Sequence, residues 1–391
     1  MSTQACIVGA YEHPTRKAPD KSVAQLHAEV AIGALQDAGL SKDDIDGYFC
    51  GDDAPGTGAF AMFEYLNLKV RHIDTTDTGG SAPLLHVAHA AQAIADGKCN
   101  IGLITVAGRP RSEGGGVAQG GRFANPAMPE LQWESPYHPT ILNIYGTAAR
   151  RHMHEYGTTS EQLAWIKVAA SHHAQHNPNA MLRKVVTVED VVNSPMVADP
   201  LHRMDCCVIS DGGGALIVAR PDIARDIAKA QGRPVVQVRG TGLGMKNQDG
   251  GYAGITWSGA VWSGPAAFEE AGVTPADIKY ASIYDSFTIT VLVALEDLGF
   301  CEKGQGGRFV ADGNLISGVG KLPFNTDGGG LCSNHPANRG GMTKVLEAVR
   351  QLRGEAHPAV QVPNCDLALA HGTGGYLSTR HGSATLIMER T

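Results

Sequence analysis

Apolar positions along the chain fall into short strand-like runs and helix-spaced sets. Residues 5–10 (Ala-Cys-Ile-Val-Gly-Ala) and 101–106 predict strands, whereas Leu84, Leu85, Val87, Ala88, Ala91 and Ile94 recur at helical spacing and predict a helix over 84–96. The stretch leading into that helix, Asp-Thr-Thr-Asp-Thr-Gly-Gly-Ser-Ala-Pro over 74–83, predicts a strand end and a glycine turn. A turn of this kind exposes one side chain at a helix N-terminus, where free amides and the helix dipole favour negative charge. Ser81 holds that position, or Gly80 under a one-residue shift. Asp77, beside the strand end, reads as a turn acceptor rather than a base.

The pattern occurs twice. Residues 34–46 match residues 267–279 at a constant offset, each reading as helix, glycine stop, short turn and then a strand at 47–51 or 280–284. In a second register, helix 84–96 with Gly97 and strand 101–106 resembles helix 341–353 with Gly354 and strand 367–370. Two such halves, 1–225 and 226–391, predict a mixed α/β fold. Residues 109–199 break the order. They are rich in Pro, His, Gly and polar residues, with helices predicted at 141–156 and 160–176, and read as an inserted loop domain over the site.

Composition narrows the function classes. The 391 residues can bury a large core, and a net charge of -7 without a long basic run argues against a nucleic-acid binder. No apolar run approaches the roughly 18–20 residues of a membrane span, and no signal peptide is expected. The eight cysteines form no Cys-x-x-Cys pair, which predicts no structural zinc and a reduced, cytoplasmic protein. His172, His173 and His176 share helical spacing, but no Glu-containing zinc motif accompanies them, so no metal site is expected. The adjacent Cys206 and Cys207 read as core thiols on opposite faces of a strand.

Several motifs together resemble the thiolase superfamily. They are Asp-Gly-Gly-Gly-Ala-Leu-Ile-Val at 211–218 after Asp-Cys-Cys at 205–207, Tyr-Asp-Ser-Phe at 284–287, and Asn-Thr-Asp-Gly-Gly-Gly…Asn-His-Pro at 325–336. A fourth is His-Gly-Thr-Gly-Gly at 371–375, where thiolases place a terminal Cys-x-Gly turn. The resemblance implies a five-layer αβαβα fold, usually dimeric, acting on acyl-CoA. It also implies a nucleophilic cysteine at the 77–83 turn, where this chain has Ser81, and a second catalytic cysteine, where it has Ser286 or His371. His335 remains, with Tyr284 at its companion oxyanion position and Asp285 beside it.

A hydroxyl is a weaker acid than a thiol and needs an adjacent base to act as a nucleophile, so two-cysteine thiolase chemistry is not expected. A retro-aldol cleavage needs only a base for the β-hydroxyl and donors for the enolate oxygen. The sequence is similar to thiolase-like lipid-transfer proteins that act as steroid side-chain aldolases, although those carry a tyrosine where His335 stands. That likeness implies cleavage of a bulky 3-hydroxyacyl-CoA and a small OB-fold, zinc-ribbon partner protein. Acyl transfer through Ser81 or a water, and a non-catalytic acyl-CoA-binding subunit, are the alternatives. No Walker-type or Gly-x-Gly-x-x-Gly phosphate loop is present; expected CoA contacts are Gly374, Gly375, Gly244 and Met245, with the adenine near 238–246.

Overall fold

The computed structural model describes residues 5–51, 54–114, 140–247, 249, 252 and 254–391; the part of the expected loop domain at 115–139 lies outside the described residues. The strands are β1 (Ala5–Glu12), β2 (Gly47–Cys50), β3 (His72–Thr75), β4 (Ile101–Gly108), the short pair β5 (Met196–Ala198) and β6 (Leu201–His202), β7 (Gly212–Ala219), β8 (Val236–Lys246), β9 (Tyr280–Ile283), β10 (Leu367–Tyr376) and β11 (Thr379–Arg390). Nine of them form one sheet in the order β3-β2-β4-β7-β1-β8-β11-β10-β9. Outward from the antiparallel β1–β8 seam, each side runs first strand, last strand, then the parallel strands between.

The repeated sequence folds alike in both halves. Helices Val23–Ala38 and Ala260–Ala271 each end on a left-handed glycine, Gly39 or Gly272, because a residue without Cβ adopts that conformation at no steric cost. The next turn is closed by a reciprocal cap, in which the Ser41 and Thr274 amides donate to Asp44 and Asp277 at 2.8 Å. Each chain then enters a parallel strand, β2 or β9.

Helices Ala82–Ala95 and Gly340–Arg353 occupy the centre. Their apolar sides share one core with Ile104 and Leu216 of one half and Ala370 and Leu386 of the other. Helix Val23–Ala38 covers β1, β4 and β7 from outside, and Ala260–Ala271 covers β8 and β11. The layers are therefore αβαβα. The helices expected at 141–156 and 160–176 are Ile141–Tyr156 and Ser160–Ala174, both packed against helix Thr288–Asp297. The strand expected at 367–370 runs on to Tyr376. Its glycines look like a turn in sequence, yet β11 supplies a continuous antiparallel ladder from Leu367 to Gly374.

Among the described residues, no helix is long and apolar enough to cross a membrane. Among the described histidines less than a tenth exposed are His27, His86, His173, His335, His371 and His381. Burial disfavours their charged forms and pushes them down from 6.5 to about 3 or 4. The unfolded chain therefore binds more protons below pH 6.5, and stability falls as pH drops, by up to about 1.4 kcal/mol per pH unit for each histidine. Buried Glu347, raised to about 7, and Asp205, Asp297 and Asp327, also raised by burial, oppose this, being fewer than the histidines. Urea midpoints measured from pH 7.5 to 5 should fall steadily; a flat profile would contradict this account of the interior.

Candidate active site

The two central helices point their N-termini at one place. Gly80, just before helix Ala82–Ala95, lies against Gly341 in the first turn of helix Gly340–Arg353, so tightly that a Cβ at Gly341 would strike the Gly80 carbonyl. A side chain at Gly80 would collide with the Thr373 carbonyl and the Tyr284 ring. Gly80 is thus the residue of the turn that faces Tyr284, and Ser81 beside it carries the side chain. Gly79 takes φ +68 and abuts Gly374, which explains why glycines fill both sides of the contact. Free amides of two helix starts here favour a developing negative charge.

Tyr284 leaves the end of β9 because Asn325 grips that strand like a missing neighbour. Its side-chain oxygen accepts from the Ile283 amide and its NH2 donates to the Ile283 carbonyl, both at 2.8 Å. The Tyr284 ring meets His335 edge-on, with centroids 5.3 Å apart, and its hydroxyl donates to the Ala337 carbonyl at 3.2 Å. Burial, then Cys207, Tyr145 and Asp285 nearby, raise Tyr284 well above 10, so its proton stays on. His335 is held by its amide, which donates to Ser210 Oγ at 2.9 Å, and Ser210 in turn donates to Asn334 at 2.6 Å. Burial lowers the imidazole to about 4. A backbone hydrogen bond within His335 leaves Nε2 buried and without a partner among the described residues.

Asp285 is fully buried. Its carboxylate accepts from the Gly330 amide at 2.8 Å, the Leu331 amide at 3.1 Å and Lys344 Nζ at 2.8 Å. Ser286 is near-buried, its hydroxyl 3.1 Å from Thr290, and Tyr145 from helix Ile141–Tyr156 stacks on the adjacent Phe287 at 4.6 Å.

Two expected residues stand apart from this pair. Ser81 is 1% exposed, and its hydroxyl donates back to the Thr78 carbonyl and hydroxyl at 2.8 and 2.9 Å. It makes no bond to His335 Nε2. Gly372 of β10 faces Gly80 and Ser81, so neighbouring His371 points through the opposite face, where Nδ1 meets Thr385 at 2.9 Å.

Of the expected CoA contacts, Gly374 borders the Ser81 turn, and Gly375 follows it with φ +70. Met245 is 55% exposed, and its sulfur shares the space beside Gly382 with Ser81 Oγ. Gly244 packs instead against Gly259 on an outer helix. His173 Nε2 accepts from the Ser317 amide while His176 stacks on His357, so these histidines do not converge. No cluster suited to a metal occurs among the described residues.

Residues 237–390 match the family described as thiolase C-terminal domain-like. Over 379 residues the chain is 32% identical to an acetyl-CoA acetyltransferase of Methanothermobacter thermautotrophicus, covering 94% of this chain and 96% of the relative. The chain belongs to the thiolase superfamily. Within it, the chain is 35% identical to a steroid side-chain-cleaving aldolase of Thermomonospora curvata over 90% of each. A solved thiolase-fold structure described as an Ltp2-ChsH2(DUF35) aldolase superposes with TM-score 0.86 and 31% identity, covering 99% of this chain and 98% of that one.

Against thiolase motifs, sequence reading found Tyr284 and His335 but missed Asn325, Lys344, Cys207 and Tyr145 as neighbours of the site. Asn325 carried a signal, as the head of its glycine motif; Lys344, within a helix otherwise read as core, carried none. Replacing Ser81 with Ala should cost about 1 kcal/mol, the loss of one hydrogen bond, and spare turnover. Gly80→Ala should cost about 2–3 kcal/mol through overpacking and displace Tyr284. Urea unfolding of both variants checks the order, which is reversed if Ser81 is the residue without room.

Proposed function

We propose that the protein cleaves a carbon–carbon bond in a bulky 3-hydroxyacyl-CoA by a retro-aldol reaction, releasing a ketone or aldehyde and a shorter acyl-CoA without an acyl-enzyme. The observation that carries the reading is the buried Tyr284–His335 pair, both neutral, with a bare Nε2, in a site without either thiolase cysteine. The names of the aldolase relatives support the same chemistry and a steroid-like acyl group.

His335 Nε2 takes the β-hydroxyl proton, the oxygen electrons form the carbonyl, and the Cα–Cβ pair moves onto the thioester as an enolate. Tyr284 turns its hydroxyl from Ala337 to the thioester oxygen, and the helix-start amides add to that stabilisation. The imidazolium then returns the proton to Cα, so the cycle needs no further reactant. Ser286, at the position of a thiolase cysteine, serves as a supporting polar group, while Met245, Gly374 and Gly375 border the CoA thioester.

Acyl transfer is the second reading, favoured by the acetyltransferase relative. Through Ser81 rather than a water it would require a Ser81–His335 pair, and the Ser81 hydroxyl is turned to Thr78 instead. A homodimer with a small OB-fold, zinc-ribbon partner completes the proposal, supported by the two-component description of the similar aldolase structure.

With its partner and varied 3-hydroxyacyl-CoA substrates, the protein should release carbonyl product, and Tyr284→Phe and His335→Ala should each lower kcat by about 10²-fold or more. Because protonation removes the Nε2 lone pair, kcat/KM should stay level from neutral pH downward and fall near pH 4. Full turnover in both variants would place the chemistry elsewhere, and an acyl group on Ser81 by intact mass would favour acyl transfer.

A further inference from the structure

Behind the reacting pair lies an ion pair that the mechanism does not use. Lys344, in the second turn of helix Gly340–Arg353, is 1% exposed, and its ammonium sits 2.8 Å from Asp285 Oδ1. Asp285 is itself fully buried. A Cβ built on Gly330 would lie 2.9 Å from His335 Cδ2 and 3.0 Å from Asp285 Oδ1, so the imidazole and the carboxylate flank one glycine. A carboxylate that close would draw a proton onto a histidine were nothing to oppose it. Here the opposing cation is supplied from the far side.

We propose that Lys344 is a positioning residue for His335: it neutralises Asp285, so that this carboxylate can pin the 329–335 loop through the Gly330 and Leu331 amides without charging the imidazole. The inference rests on the reading of His335 as the proton carrier. A histidine kept bare at rest is ready to accept from the substrate hydroxyl, and its conjugate acid surrenders the proton readily to the enolate carbon.

The surroundings leave these two charges in control. Asp285 raises and Lys344 lowers the imidazole, the two electrostatic influences on it beside the larger effect of burial. Tyr284 stays protonated, and Cys207, reaching in from the 205–211 segment, is raised by burial and stays a thiol. Asp327 and Glu12 act on Lys344, Glu12 also pairing with Arg16 and Arg350, and Arg339 acts on Tyr284.

The test is the titration of His335 itself, followed by histidine-selective NMR and assigned with His335→Gln, so that it reads independently of turnover. The unmodified protein should titrate near 4. Lys344→Gln keeps an amide donor for Asp285 but removes the charge, and should raise His335 by about 1–2 units, with the acid limb of kcat/KM moving equally. Asp285→Asn combined with Lys344→Gln should bring it back to within half a unit or so of the starting value, by the same reasoning. An unmoved His335 in folded Lys344→Gln overturns the proposal, as does a shift that the double variant fails to reverse. If Lys344→Gln does not fold, the double variant decides alone: it should titrate like the unmodified protein, and a large shift overturns the idea. Absence of turnover with a moving imidazole would instead count against the aldolase reading alone.

Discussion

The buried carboxylate of Asp285 joins three parts of the chain that are distant in sequence. It follows β9, accepts two amides from the loop that carries His335, and pairs with Lys344 of a central helix. Stripping two charges of water is costly, and the pair repays that only because three good donors converge on one carboxylate. Removing Lys344 would leave the carboxylate uncompensated in a low-dielectric interior. Tyr284, the adjacent residue, therefore has little freedom in where its ring stands, and His335 is carried by the same loop.

The glycine contacts work in the same direction. A substrate oxygen can use helix-start amides only if the backbone itself forms the wall, which requires positions where no side chain fits. Gly80 against Tyr284 and Thr373, and Gly341 against Gly80, provide that wall. Within the thiolase superfamily, such a wall ordinarily surrounds a cysteine. Here the Ser81 hydroxyl is turned back to Thr78, and the polar groups that meet beside Gly80 and Gly340 are a phenol and an imidazole. That balance fits stabilising an enolate better than carrying an acyl group.

Much of the fold was legible in the sequence. The Gly39 and Gly272 stops with their Ser41–Asp44 and Thr274–Asp277 caps are local devices, and local devices read directly from neighbouring residues. The same holds for helix Ala82–Ala95 and its turn. The candidate site was half legible, since Tyr284 and His335 sit in motifs whereas Lys344 and Tyr145 act through folding alone. His371 shows the limit most clearly. Its motif placed it at the terminal turn, but strand alternation decided which face it took, and Gly372 took the face toward Ser81.

By itself, the sequence determined the two-fold repeat, the absence of both cysteines and the residue types available for chemistry, because these depend on spacing and identity. The tertiary structure decided which of those residues meet. The hydroxyl of Ser81 could have faced His335 or Thr78 with the same neighbours in sequence, and packing of two helix starts against β10 settled it. The charge on Asp285 could have acted on His335, and a lysine nearly sixty positions later cancels it. Long-range electrostatics and close packing depend on distance in space, which no local pattern of residues encodes.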